Sequence, residues 1–96
     1  MKEITLKKLV EFGDAISHPL RLKILKKLCE GEKNVYDLAK ELQISRQLLY
    51  LHLKKLEKAD LVESDLRLEG NKAKKFYRVK DFRYTVDRTL IENLVI

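Results

Sequence analysis

The sequence predicts a mainly α-helical domain that carries one small β-hairpin near its C-terminal end. Apolar residues recur at helical spacing through residues 4–59, and the pattern changes to alternation between residues 61 and 79. Of the 96 residues, 45% are hydrophobic and 38% are charged, a composition typical of a globular domain. A chain of this length forms one domain, which we predict to span residues 1–96.

Two helices are expected before Gly31. The first covers about residues 5–15, where apolar side chains return every three or four positions. Pro19 is favoured at a first helical position, so the second helix begins there with Ser17 or His18 as its cap.

Two further helices follow after a short interval. Asn34 begins the third, and Ser45 caps a fourth that ends near residue 59. Only Gln43 and Ile44 separate them, so the pair is a helix-turn-helix candidate.

The remaining elements are a hairpin and a last helix. Residues 61–68 and 74–79 alternate as strands do, and Gly70 lies in the turn between them. Residues 80–85 are expected to extend the second strand, and Asp87 to cap a last helix. A hairpin directly after a helix-turn-helix predicts a winged helix-turn-helix, in the order four helices, two strands, one helix.

Positive charge is concentrated in one segment of the chain. Residues 43–80 contain ten Lys or Arg and five Asp or Glu, and so carry almost all of the net charge of +6. Such a segment is either a solvated face or the binding surface for a polyanion, and its concentration in one supersecondary unit favours the polyanion.

The fourth helix has more leucines than one buried face can hold. At about 100° per residue, Leu49, Leu53 and Leu56 form the buried stripe and Leu51 points away from it. Leu51 contacts a thymine methyl in the major groove, packs on a neighbouring subunit, or is simply an exposed leucine without a partner. The candidate DNA contacts on this helix and in the hairpin are Ser45, Arg46, Gln47, Tyr50, Leu51, Lys54, Arg67, Lys72, Lys74 and Lys75. His52, beside the stripe, is expected to be a packed core histidine.

Four segments, residues 16–28, 35–45, 52–62 and 70–79, resemble the ArsR family of winged helix-turn-helix repressors. The resemblance implies a transcriptional regulator that binds DNA as a dimer, and the dimer would form through the terminal helices, here residues 4–16 and 87–96. The dimer-forming residues would be Ile4, Leu9, Val10, Leu90, Ile91 and Leu94. The cysteine pair of the metal-sensing members is replaced by Asn34 and Tyr36, so no metal and no cofactor is expected.

The predicted partners are double-stranded DNA and a second copy of the chain. No membrane is expected as a partner, because the longest charge-free run has seven residues. A lone Cys29 favours a reducing cytoplasm, and abundant Lys and Glu favour a thermophilic source. Enzymatic activity is not expected, because no nucleophile–base pair or phosphate loop can be assembled. The alternative function is a protein-interaction module, in which Tyr50 and Leu51 form a docking patch.

Overall fold

The computed structural model describes residues 4–96, in which five helices and three strands follow one another. They are α1 (Leu6–Ile16), α2 (Pro19–Leu28), β1 (Lys33–Asn34), α3 (Val35–Leu42), α4 (Arg46–Lys58), β2 (Val62–Glu69), β3 (Lys72–Val79) and α5 (Arg88–Glu92). The predicted winged helix-turn-helix and its helix order are confirmed, with one additional short strand. Residues 1–3 of the predicted domain lie outside the described part.

Each helix begins at a side chain that accepts a hydrogen bond from a backbone N–H of its first turn. The five capping residues are Thr5, His18, Asn34, Ser45 and Asp87. Such caps satisfy N–H groups that have no partner within the helix. Of the two candidates before Pro19, the cap is therefore His18, whose Nδ1 accepts from Leu20 N–H at 3.1 Å.

The core lies where α2, α3 and α4 meet the sheet. Ile24, Leu38, Leu49, Leu53 and Leu56 have no exposed surface, and they come from these three helices. Their spacing of three or four residues within a helix puts them on one face, which the other elements cover.

The turn of the helix-turn-helix depends on one residue in a left-handed conformation. Gln43 has a φ of 56° and ends α3, and Ile44 N–H donates to Ala39 O at 3.1 Å. Ala39 is buried where α3 meets α4, and Ile44 packs against the core. This short connection fixes α4 relative to α3.

The sheet is antiparallel, with the strands in the order β1-β3-β2. The hairpin pairs Val62 with Val79 at its base and Glu69 with Lys72 at its tip. Gly70 adopts a φ of 64° in the two-residue turn between them. Strand β1, which the sequence did not predict, pairs with β3 beside Phe76 and Tyr77.

The C-terminal segment differs from the prediction. Residues 80–86 form no strand; instead the ring of Tyr84 stacks on Phe12 of α1, with centroids 3.8 Å apart. The last helix, predicted over residues 87–96, is shorter: α5 ends at Glu92, and Leu94 lies beyond it.

The two ends of the described chain meet. Leu6 N–H donates to Val95 O at 3.0 Å, and Thr5 forms an isolated parallel bridge with Val95. The N-terminal end of α1 and the residues after α5 therefore belong to one surface.

Across residues 4–96, no helix combines the length and the apolar character that crossing a bilayer requires.

Candidate nucleic-acid interface

Helix α4 is held by its buried side and offers its other side to solvent. Leu49, Leu53 and Leu56 are completely buried, as the apolar stripe predicted. Ser45 Oγ accepts a hydrogen bond from Leu48 N–H at 3.1 Å, so the hydroxyl acts as the N-cap. A buried stripe and a capped start hold the helix rigidly, which base recognition requires.

The exposed side, called here the α4 surface, consists of Arg46, Gln47, Tyr50, Leu51 and Lys54. Leu51 is 63% exposed, so among the described residues nothing buries the leucine that pointed away from the core. Ser45, Arg46, Gln47 and Tyr50 line an open depression of about 430 Å³. The six predicted contacts of this helix and its cap thus lie together on one solvent-facing area.

The hairpin, called here the wing, has two faces of different chemistry. Its inner face carries Tyr77 and Val62, which are buried against the helices, and farther out Leu66, Leu68, Ala73 and Lys75. Its outer face alternates acidic and basic side chains, namely Glu63, Asp65, Arg67, Glu69, Lys72, Lys74 and Arg78, around Phe76. The four predicted wing cations are therefore divided between two faces.

Arg67 on the outer face is surrounded by carboxylates. Its guanidinium makes a two-pronged ion pair with Glu32, and its Nε donates to Asp65 Oδ2 at 2.9 Å. The hydrogen bond from Arg67 holds the pKa of Glu32 below its usual value of 4.5, and the same donor lowers the pKa of Asp65. The guanidinium also lies 4.7 Å from the centroid of the Phe76 ring. These carboxylates compete with any phosphate for Arg67.

Arg78 extends this cluster. It donates to Asp65 at 2.7 Å and to Glu63 at 2.9 Å, and it approaches Glu32 at 3.8 Å. These hydrogen bonds to carboxylates raise its pKa. We call Glu32, Glu63, Asp65, Arg67 and Arg78 the outer ion network.

The three lysines of the wing differ in their surroundings. Lys74, which is partly buried, pairs with the exposed Glu69 at 3.2 Å, and Lys72 is exposed beside the turn. Lys75 is on the inner face, 5.2 Å from the centroid of the Tyr77 ring. A hydrogen bond with Tyr77 raises the pKa of Lys75, and the charges of Glu57 and Tyr50 on α4 raise it further. Lys75 is thus on the side of the wing that looks towards α4.

A buried polar cluster beneath α4 was not predicted from the sequence. Arg21 of α2 is 8% exposed, and its guanidinium donates to Ala15 O and Asp14 O at 2.8 Å each. It also lies 3.1 Å from Nδ1 of His52, which is buried in α4 as predicted. Burial lowers the pKa of His52, and the charges of the nearby His18 and Arg21 lower it further.

The predicted dimer residues occupy the surface where the chain ends meet. Val10 and Ile91 are exposed, whereas Ile4, Leu9, Leu90 and Leu94 are half-buried. Leu6 and Val95, which were not predicted from the sequence, add exposed apolar area to the same surface.

Asn34 and Tyr36, which replace the cysteine pair of the metal-sensing members, do not face each other across a site. Asn34 is buried and its side chain caps α3, accepting from Asp37 N–H at 2.8 Å and donating to the Asp37 carboxylate at 2.9 Å. Tyr36 is exposed to solvent. The expectation that no metal acts here stays a prediction.

Comparison with known proteins identifies the family. Residues 18–64 match the family described as bacterial regulatory protein, arsR family. Over 85 residues the chain is 53% identical to the uncharacterized HTH-type transcriptional regulator MJ0229 of Methanocaldococcus jannaschii, covering 88% of this chain and 90% of that protein. The chain belongs to the ArsR family. It is therefore a transcriptional regulator and not an enzyme.

Two solved structures resemble this ArsR-family regulator over most of its length. One is the homodimeric winged helix-turn-helix DNA-binding domain Mb0332 of Mycobacterium bovis, described as a possible ArsR-family regulator. It is 30% identical with a TM-score of 0.67, and 77% of this chain and 65% of that chain are covered. The other is the transcriptional repressor BigR of Xylella fastidiosa, 27% identical with a TM-score of 0.66, covering 78% of this chain and 72% of that one.

Proposed function

We propose that this regulator binds specific sequences of double-stranded DNA as a homodimer and represses transcription by occupying them. The observation that carries the proposal is the α4 surface, which presents an amide, a phenol, an apolar group and two cations on one side of a rigidly held helix. These groups are the ones that recognise base edges in the major groove and contact phosphates. The description of the Mycobacterium bovis domain as homodimeric supports the proposed homodimer, and the description of BigR as a repressor supports the proposed repression of transcription.

In this proposal α4 enters the major groove. Gln47 donates and accepts hydrogen bonds at an adenine edge, and Leu51 contacts a thymine methyl. Arg46 and Tyr50 also face the bases, while Lys54 and the wing lysines Lys72, Lys74 and Lys75 hold phosphates. Ser45 keeps its capping role, with the start of α4 directed at the DNA backbone.

A homodimer would bury the apolar surface at the chain ends. Val10 is 59% exposed and Ile91 is 53% exposed, on two elements that adjoin through the hydrogen bond between Leu6 and Val95. A two-fold axis through this surface would repeat α4 on the second subunit, so that the dimer contacts two half-sites on one side of the duplex.

The proposal is tested first on mixed-sequence duplex DNA. We expect measurable binding by fluorescence anisotropy, with an affinity that falls steeply as salt rises, because lysines displace counterions from phosphates. Footprinting on genomic fragments would then define the specific site, and transcription from a promoter that contains this site should decrease when the protein is added. If no duplex binds at low salt, the DNA-binding proposal fails and the docking-module alternative replaces it.

The dimer is tested by light scattering at micromolar concentration. We expect a mass of two chains for the wild type and of one chain for Val10→Asp, because a carboxylate in the interface would lose its hydration. Leu22→Asp is the matched control, since Leu22 is similarly exposed but lies on α2, outside the two terminal elements. A wild type that remains monomeric, or a Val10→Asp variant that remains dimeric, would refute this interface.

A further inference from the structure

Two leucines on the wing have no packing role that would explain them. Leu66 is 69% exposed and Leu68 is 78% exposed, both on strand β2. The register places them opposite Lys75 and Ala73, on the inner face that begins with buried Val62 and Tyr77. The apolar side of the sheet therefore continues beyond the helices that cover its base.

The side chains around these leucines are sorted by charge. Glu63, Asp65 and Glu69 all belong to the outer face, where Arg78, Arg67 and Lys74 pair with them. In the half of the wing nearest its turn, the inner face carries one cation, Lys75, and no carboxylate. Because α4 packs against β2 and the inner face begins with buried Val62 and Tyr77, this face looks towards the side on which α4 lies.

We infer that Leu66 and Leu68 contact the floor of the DNA minor groove next to the site that α4 occupies, and that they favour base pairs without the guanine 2-amino group. The inference rests on the proposed binding of DNA. Proteins that contact the minor groove commonly combine apolar side chains with neighbouring cations. An A·T pair presents only acceptors there, whereas a G·C pair adds an amino group, which a leucine cannot hydrogen-bond and which narrows the space above the floor.

Strand β2 is at the edge of the sheet, so the other occupant to consider is the same strand of a second copy. Charge argues against it, because β2 itself carries Glu63, Asp65 and Glu69, and pairing with the same strand of a copy would place these carboxylates beside one another. The lysines of the neighbouring strand β3, by contrast, attract a phosphate backbone.

The experiment uses the full chain and two alternating duplexes of equal length, one of inosine and cytosine and one of guanine and cytosine. Their major grooves present the same groups, and they differ by the 2-amino group in the minor groove. We expect the wild type to bind the inosine duplex about fivefold more tightly. The double variant Leu66→Ser and Leu68→Ser should bind both duplexes equally, with an unchanged melting temperature because both side chains are exposed.

Leu51→Ser is the matched control, an equally exposed leucine on the α4 surface. It should bind both duplexes about as well as the wild type, because neither contains a thymine methyl, and retain the preference for inosine. A wild type that binds both duplexes equally overturns the inference while the proposed function stands, and so does a preference that survives in the double variant. A double variant that forms smaller oligomers and keeps the wild-type preference would instead assign the leucines to a protein interface. Absence of binding to any duplex rejects the proposed function itself.

Discussion

Nη1 of Arg21 lies 3.1 Å from Nδ1 of His52, and this contact joins α2 to the helix that carries the α4 surface. The same guanidinium donates to the carbonyls of Asp14 and Ala15 at the end of α1. One buried side chain thus connects a terminal helix of the candidate dimer surface with the candidate DNA surface. Because a guanidinium can only donate, His52 must be unprotonated at Nδ1 to accept from it.

The stability of the protein should therefore depend on pH near neutrality. Folding lowers the pKa of His52 from its usual 6.5, so the unfolded chain binds this proton more readily. The free energy of unfolding should have its full contribution from His52 above pH 6.5, and it should decrease as the pH falls below this value. Urea unfolding at a series of pH values measures this dependence.

His52→Asn isolates that effect, because an amide oxygen can accept from Arg21 but does not titrate. The variant should lose part of the dependence between about pH 5 and 7, the range in which histidine normally changes its charge. The carboxylates of Glu32 and Asp65 do not interfere, since their lowered pKa values place their titration below this range. Identical pH profiles of the variant and the wild type would exclude His52 as the cause.

Replacing Arg21 should destabilise the fold. Arg21→Met keeps an apolar stem but removes the donors to Asp14 O, Ala15 O and His52, and we expect a loss of about 2–4 kcal/mol. Lys23→Met, an exposed position on the same helix, is the control and should change stability by less than about 0.5 kcal/mol. Urea denaturation measures both, and equal stabilities would show that the buried cluster contributes little.

The helices were predictable because their signals are local. The caps at Asn34, Ser45 and Asp87 and the leucine stripe of α4 need only neighbouring residues to be recognised. Other features needed long-range information. Strand β1 has two residues and so shows no period, and its pairing brings Glu32 beside Arg67, 35 positions away.

Two wrong or missing predictions have related physical causes. The alternation of Phe82 and Tyr84 resembles a strand, yet it arises because both rings pack on Phe12 of α1. Arg21 stands in a run of basic residues and looks like a surface charge, and only its contacts with α1 and α4 reveal that it is buried. The α4 surface was predicted as one area, but the division of the wing cations between two faces depends on the strand register.

Arg67 and Lys75 should behave differently although both were predicted to contact DNA. Arg67 is engaged by Glu32 and Asp65, so Arg67→Ala should lower the melting temperature by breaking the outer ion network and leave the salt dependence of DNA binding unchanged. Lys75→Ala should reduce the salt slope by about one unit, because one phosphate contact is lost. Salt titrations of both variants on mixed-sequence DNA make the comparison. A slope reduced equally by both would show that Arg67 exchanges its carboxylates for a phosphate.

If the α4 surface determines sequence specificity, Gln47→Ala and Leu51→Ala will show it when each is compared on the operator, the specific site that footprinting defines, and on a scrambled duplex. Each variant should lose about 1–3 kcal/mol of discrimination between the two duplexes and retain its affinity for the scrambled one. Leu49→Ala is the folding control, because the loss of a buried leucine should cost about 2–5 kcal/mol of stability. It should have no selective effect on binding to the operator. Unchanged discrimination in both α4 variants, with folding intact, would contradict the assignment of this surface to base recognition.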